Sequence, residues 1–198
     1  MAGVKQFNQA DVLEQAMQVF WQQGYEATSI RDLTAATGLG RGSLYGAFGD
    51  KEGLFLAVLD HYEQSVQAQL GECLQNPDPK VALASLFEQM VTRMGTGAYP
   101  AGCLNTNTTL ECSSRSDRIN RTIAERLGKI ESSIYEVLLR AQTQGSLPIG
   151  LDIRALSRFF LAISQGIAVL NKAFADPSVI KDVAKVTNTI WDDMYQDQ

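Results

Sequence analysis

Histidine is almost missing from this sequence. His61 is the only one in 198 residues, and cysteine occurs three times, as Cys73, Cys103 and Cys112. One imidazole cannot build a multi-histidine metal site or leave a choice of histidine-based triads. The cysteines are odd in number and no pair has C-x-x-C spacing. Neither a disulfide framework nor a zinc or redox motif is expected, and the thiols should stay reduced, as in the cytosol. A phosphate-binding loop and a nucleophile elbow are lacking too. These absences leave no catalytic residue, no metal site and no cofactor to nominate, and they point away from an enzyme. No apolar stretch reaches the roughly 18 residues that span a bilayer. The opening MAGVKQFNQADVLEQ has no apolar signal-peptide core. A soluble, cytoplasmic chain without a membrane partner is the expectation.

Positive charge is also scarce. The net charge is −5, and residues 1–60 carry only Lys5, Arg31, Arg41 and Lys51 against seven acids, a local balance of −3. That excludes a broad basic nucleic-acid footprint. Any DNA binding must rest on a few well-placed cations, with helix dipoles and hydroxyls supplying the rest and a dimer doubling the contacts.

What is present is a globular balance, 45% hydrophobic and 20% charged, arranged at helical spacing throughout. Val12, Leu13, Ala16, Val19 and Phe20 predict a first helix over about 8–23, stopped by Gly24. Thr28 is the expected N-cap of a short second helix over about 29–37, burying Ile30, Leu33 and Ala36 or Thr37. Gly38 ends it, and a third short helix over about 41–48 buries Leu44 and Phe48. Asp50 should cap a fourth helix that starts at Lys51. Pro77 and Pro79 mark a joint. Further helices are expected over about 80–94, 103–112, 116–144, 152–175 and 178–195. No segment reads as a strand, so the fold class is all-α with about nine helices. Two short helices joined by Gly-Leu-Gly and buttressed by a longer one match a DNA-binding helix-turn-helix. An eight-residue third helix is about 12 Å long, which suits a major groove of about that width.

The run FWQQGYEATSIRDLTAATGLGRGSLYGAFGDKEGLF resembles the tetracycline-repressor (TetR) family of bacterial regulators. Phe20, Gly24, Thr28-Ser29-Ile30, Gly38, Leu44-Tyr45, Phe48, Lys51 and Leu54 fall where that family's pattern expects them. AGCLNTNTTLE resembles a branch with a Gly-Cys pair at the start of the sixth helix. The resemblance implies a DNA-binding head over 1–50 and a ligand-binding and dimerisation domain over 51–198. It further implies double-stranded operator DNA, a second copy of the chain and a small-molecule inducer as partners, and repression relieved by ligand. Two features depart from the family: the N-terminal arm offers only Lys5, and Gly46 and Ala47 replace the aromatic or histidine residues common before the helix-three Phe.

For DNA contact the candidates are Thr28, Ser29, Arg41, Gly42, Ser43, Tyr45, Gly46 and Lys51. Arg41, opening the third helix, can reach guanine O6 and N7 with both arms of its fork, or hold a phosphate, or be a solvated arginine. Tyr45 and Lys51 carry over from family positions that hold the DNA backbone. Lys51 sits in a first helical turn, where the macrodipole disfavours a cation, and a phosphate nearby would explain it. Thr28 and Ser29 offer hydroxyls and free N–H groups to a phosphate, or simply cap a helix. Gly42 and Gly46 each cost about 1 kcal/mol relative to alanine within a helix. They permit close backbone approach to DNA, or are merely tolerated. Ser43 can reach a base or phosphate without discriminating.

The rest of the chain reads as a bundle with an interior pocket. Candidate lining residues are Tyr62, Val66, Phe87, Met90, Met94, Cys103, Leu104, Asn107, Thr108, Leu127, Ile130 and Gln165, each of which also fits plain core. Cys103, at a helix start, is a candidate sensor of oxidants, electrophiles or copper, or a small buried hydrophobe. Arg115, Arg118 and Arg121 form a basic stripe that could take an anion or simply face solvent. In the last two helices Leu156, Phe159, Phe160, Ile163, Ile167 and Leu170, with Val183, Val186, Ile190 and Trp191, are expected to form a four-helix dimer interface.

Overall fold

The computed structural model describes residues 7–112, 116–174 and 176–196. Lys5 and Arg115 lie outside them, as does the side chain of Cys112. The described residues form nine helices and no strand: α1 (Gln9–Gln23), α2 (Ile30–Thr37), α3 (Arg41–Phe48), α4 (Lys51–Leu74), α5 (Pro79–Gly95), α6 (Leu104–Cys112), α7 (Asp117–Thr143), α8 (Ile153–Ala173) and α9 (Ser178–Gln196). Capping fixes most starts. Asn8, Asp50, Asp78, Ser116 and Asp152 each accept a backbone N–H of the first turn.

The α2 start corrects an expectation. Ser29, not Thr28, is the N-cap, and it forms a capping box with Asp32. Thr28 is buried at 1% exposure, and its hydroxyl donates 2.6 Å to the Gly24 carbonyl. The side chain turns inward because that carbonyl, at the frayed end of α1, needs a donor.

Two apolar cores share α4. The first joins α1, Leu33 of α2 and Leu44 of α3 to Leu54–Tyr62 of α4, and takes in Leu104, Ile119 and Ile123. The second joins the far end of α4 to α5, α7, α8 and α9 around Phe87, Phe160 and Trp191. Each fully buried large side chain contributes about 1.5–3 kcal/mol. The boundary between the two cores falls within α4. Arg126 of α7 bolts it in place. Its guanidinium, 3% exposed, donates to the Leu59 carbonyl and to Asp60 Oδ1 at 2.6 Å and lies 3.6 Å from Glu63.

Helix α8 departs from another expectation. It is long and apolar enough to cross a membrane by composition, with mean hydropathy 1.4. The cause is that both of its faces are apolar. Ile153, Leu156, Phe160 and Ile167 fill the core, while Ala155, Phe159, Ala162, Gly166, Val169 and Ala173 are exposed.

Candidate DNA-reading head and ligand cavity

Helix α3 has an inner and an outer side. Leu44 anchors it in the head core, and Tyr45 and Phe48 are half-buried. Arg41, Gly42, Ser43, Gly46 and Ala47 are exposed. A Cβ built on Gly42 or Gly46 would meet no atom within 4 Å. Packing inside the subunit thus gives no reason for these two helix-weakening residues. The N-cap, Gly40, provides no side-chain hydrogen bond, so the N–H groups of Arg41 and Gly42 are uncapped, while the Ser43 N–H bonds the Gly40 carbonyl at 2.9 Å. Arg41 reaches back over the Tyr45 ring, 5.2 Å from its centroid, with 3.4 Å to the hydroxyl. The pair forms a cationic corner beside the glycine face.

The second helix offers less. Ser29 is exposed, but its hydroxyl donates 2.6 Å to Asp32, which also accepts the Ser29 N–H at 2.9 Å. Hydrogen bonds from the Ser29 hydroxyl and N–H hold the Asp32 carboxyl below its ordinary value. That anion opposes a phosphate at the same turn. Thr28, buried and bonded to Gly24, has no hydroxyl to offer DNA.

Lys51 has partners inside the protein. Its ammonium donates to the carbonyls of Tyr25 at 2.9 Å and Thr28 at 3.2 Å, and lies 4.4 Å from the centre of the Tyr25 ring. A cation in the first turn of α4 is thereby explained without a phosphate: it ties down the α1–α2 turn. The same turn is held from the other side by a residue that sequence reasoning passed over. Glu111, in the last turn of α6, accepts the N–H groups of Tyr25 at 3.0 Å and Glu26 at 2.7 Å. Gly24 permits this approach. Its φ is +87°, and a Cβ there would fall within 2.9 Å of the Glu111 carboxylate. The link spans 86 residues, so no local pattern announces it.

At the other end of α6 lies a cavity of about 120 Å³ among α1, α4, α5, α6, α7 and α8. Tyr62, Val66, Met90, Met94, Cys103, Leu127, Ile130 and Gln165 of the expected residues line it. Phe87, Leu104, Asn107 and Thr108 do not. Phe87 and Leu104 are packed in the two cores, and the Thr108 hydroxyl is bonded to the Leu104 carbonyl. Asn107 faces the Gly102 turn, where its Oδ1 would lie 3.0 Å from an added Cβ. The wall also contains Trp21, Gln69, Arg93, Tyr99, Asn105 and Ser164. Arg93 follows Met90 by three residues, so the α5 stripe could have yielded it; Trp21 comes from the head and could not be foreseen. The Tyr62 hydroxyl sits 3.4 Å from Cys103 Sγ. Burial holds that phenol well above its ordinary pKa, so it stays protonated.

The basic stripe on α7 behaves as a solvated face. Arg118 is exposed and lies 4.0 Å from Glu52, and Arg121 returns to the Asp117 carbonyl.

The expected dimer residues divide. Leu156, Phe160, Ile167 and Trp191 belong to the subunit's own core, and the Trp191 indole donates 3.0 Å to the Lys80 carbonyl. At helical spacing they share the inward stripe rather than the outward one. Phe159, Val186 and Ile190 are exposed, and Ile163, Leu170 and Val183 are half-buried.

A short outward helix on a compact three-helix head, joined by α4 to a helical bundle with an interior cavity, defines a helix-turn-helix transcriptional regulator. The comparisons with known proteins agree. The family described as "Bacterial regulatory proteins, tetR family" matches residues 12–58, and "Tetracyclin repressor-like, C-terminal domain" matches residues 79–187. The chain is 33% identical to the HTH-type transcriptional repressor ComR of Escherichia coli K12, over 97% of this chain and 92% of ComR. It is 30% identical to the HTH-type regulator YezE of Bacillus subtilis 168, over 95% and 98%. Among solved structures, a cysteine-substituted TetR-family regulator, CifR, complexed with a 26-base-pair operator, superposes with a TM-score of 0.88. It is 28% identical, over 94% of this chain and 98% of that one. This chain belongs to the TetR family, whose members are DNA-binding regulators rather than enzymes.

Proposed function

We propose that this protein is a dimeric cytoplasmic repressor that leaves its operator when a small molecule fills the cavity. The observation that carries DNA reading is the bare face of α3: Arg41, Gly42, Ser43 and Gly46 exposed, the glycines unexplained by internal packing. Residues 1–50 read the operator, with Arg41 at a base edge and Tyr45, Ser43 and the glycine backbone at phosphates and sugars. Ser29 caps, and Lys51 shapes the head. Residues 51–198 bind ligand and dimerise. The relatives' names support repression as the sign of control.

The dimer face is the exposed stripe of α8 together with Val186 and Ile190 of α9. Ala155, Phe159, Ala162, Gly166, Val169 and Ala173 alternate by four and three residues, the spacing of a helix-pairing seam. The small members let backbones approach. Such a face explains why α8 is apolar on both sides without any bilayer.

The test is operator mapping followed by quantitative binding. Two heads on one duplex should contact half-sites about 34 Å apart, or a multiple of that, and affinity should fall with rising salt. A protein that binds every duplex alike, or none, ends the proposal. A second reading, with Cys103 as direct sensor of oxidants, electrophiles or copper, is favoured by its place on the cavity wall beside the Tyr62 hydroxyl. Unchanged responses in Cys103→Ser would remove that reading.

A further inference from the structure

Among the groups on the cavity wall, three have hydrogen-bonding capacity the protein leaves unused. Asn105 is 1% exposed, and neither its Nδ2 nor its Oδ1 has a partner. The Trp21 indole N–H is equally buried and unpartnered. A buried polar group left unpaired costs about 1–3 kcal/mol, so two on one small cavity indicate an occupant that pairs with them. The third group is Arg93. Its guanidinium lies over the rings of Tyr62, at 5.6 Å, and Tyr99, at 4.7 Å, and donates 2.6 Å to Gln69. Among the described residues no carboxylate lies within ion-pair distance of it, although it has N–H groups to spare. Unused donors thus outnumber unused acceptors on this wall, and one of the donors is a half-buried cation without a counter-charge among the described residues.

The remaining wall sets size and shape. About 120 Å³, below the roughly 150 Å³ apolar cavity that admits benzene, leaves room for no more than a single ring. Trp21, Tyr62 and Tyr99 form a continuous aromatic side, with ring centroids 5.1 and 5.6 Å apart. Aromatic rings pack edge-on or offset against one another more favourably than aliphatic chains do.

We propose that the cavity binds a single-ring aromatic carboxylate: the carboxylate accepts from Arg93 and from the Asn105 amide or Trp21 indole, and the ring lies against Trp21, Tyr62 and Tyr99. A ring hydroxyl would supply the donor that Asn105 Oδ1 lacks. The proposal rests on the ligand-release reading above and names its ligand class.

The test uses the full-length dimer and direct calorimetric titration with benzoate, the monohydroxybenzoates, cyclohexanecarboxylate and benzamide. Benzoate or a hydroxybenzoate should bind at least about tenfold more tightly than benzamide, the worth of one charge-assisted hydrogen bond. Cyclohexanecarboxylate should fall behind benzoate. Arg93→Met should abolish the preference of acid over amide, lowering affinity for the acids far more than for benzamide. Asn105→Leu should weaken every probe. Thermal melts check that each variant folds, and Arg93→Lys, which keeps the charge, should retain part of the preference. Benzamide binding as tightly as the acids, or acids binding equally well to Arg93→Met, overturns the proposal. So does a dimer that binds its operator normally but takes up none of the acids; that outcome leaves the repressor reading intact, whereas failure to bind any operator defeats that reading instead.

Discussion

Arg41 and Lys51 look alike in the sequence, one cation at the start of each of two consecutive helices, and the structure gives them different work. Arg41 is exposed and, among the described residues, is partnered by Tyr45 alone. Arg41→Ala should cost about 1–3 kcal/mol at one base-pair position and relax preference there, read as a flattened specificity profile against an operator library. Lys51 is half-buried and bonded to three carbonyls of the α1–α2 turn, those of Tyr25, Glu26 and Thr28. Lys51→Ala should lower stability by about 1 kcal/mol, the charge being partly screened, and weaken every DNA site equally, measurable by urea unfolding and by salt-matched titrations. Arg126 belongs to a third category. Removing a buried ion-pair partner costs about 3–5 kcal/mol because the other charge stays behind. Arg126→Met should therefore unfold at markedly lower urea concentration, and adding Glu63→Leu should recover much of the loss. Greater destabilisation of the double variant would show that Glu63 is not the charge left stranded.

At the scale of elements, the helices were readable because their apolar residues recur at helical spacing and their ends carry Asp, Ser, Asn, Pro and Gly. Where local signals compete, the reading slipped. Thr28 and Ser29 both suit an N-cap, and only the capping box with Asp32 decides between them. In α8, inward and outward stripes are both apolar, so the sequence could not separate Phe160 from Phe159. The cavity was half legible: the stripes of α4, α5 and α7 supplied its floor, but its polar groups depend on which neighbour each side chain finds across the bundle. The same is true of Glu111, which makes α6 a strut between the cavity at Cys103 and the head at Tyr25. Glu111→Ala should speed hydrogen exchange at the Tyr25 and Glu26 amides and shift operator affinity, with little change in the rest of the head. Unaltered exchange at those two amides would mean the strut bears no load. Trp21 gives a second, shorter route, since it belongs to α1 and also walls the cavity. A ligand there would touch the head directly.

For the whole molecule, the net charge of −5 and the acid-rich head set the terms of DNA binding. A single head with so few exposed cations gains little from counterion release, which scales with the phosphates neutralised. On the proposed dimer, affinity comes from two heads held at a fixed separation, which the α8–α9 face would set. Phe159, Val169, Val186 and Ile190 are between 37% and 57% exposed in the lone subunit, an apolar area that solvent would not leave uncovered. Val169→Glu places a charge on the α8 stripe, where the exposed Lys172, three residues on, is a neighbour of opposite sign. Because Val169 is outside the subunit core, the fold should survive with its helical signal intact. Sedimentation should then report monomers at concentrations where the parent chain is a dimer. Operator affinity should drop by more than about a hundredfold, since the second head no longer acts at a high effective concentration. If Val169→Glu stays dimeric and still grips its operator, the seam lies elsewhere, and the spacing of the two reading helices must be set by another surface.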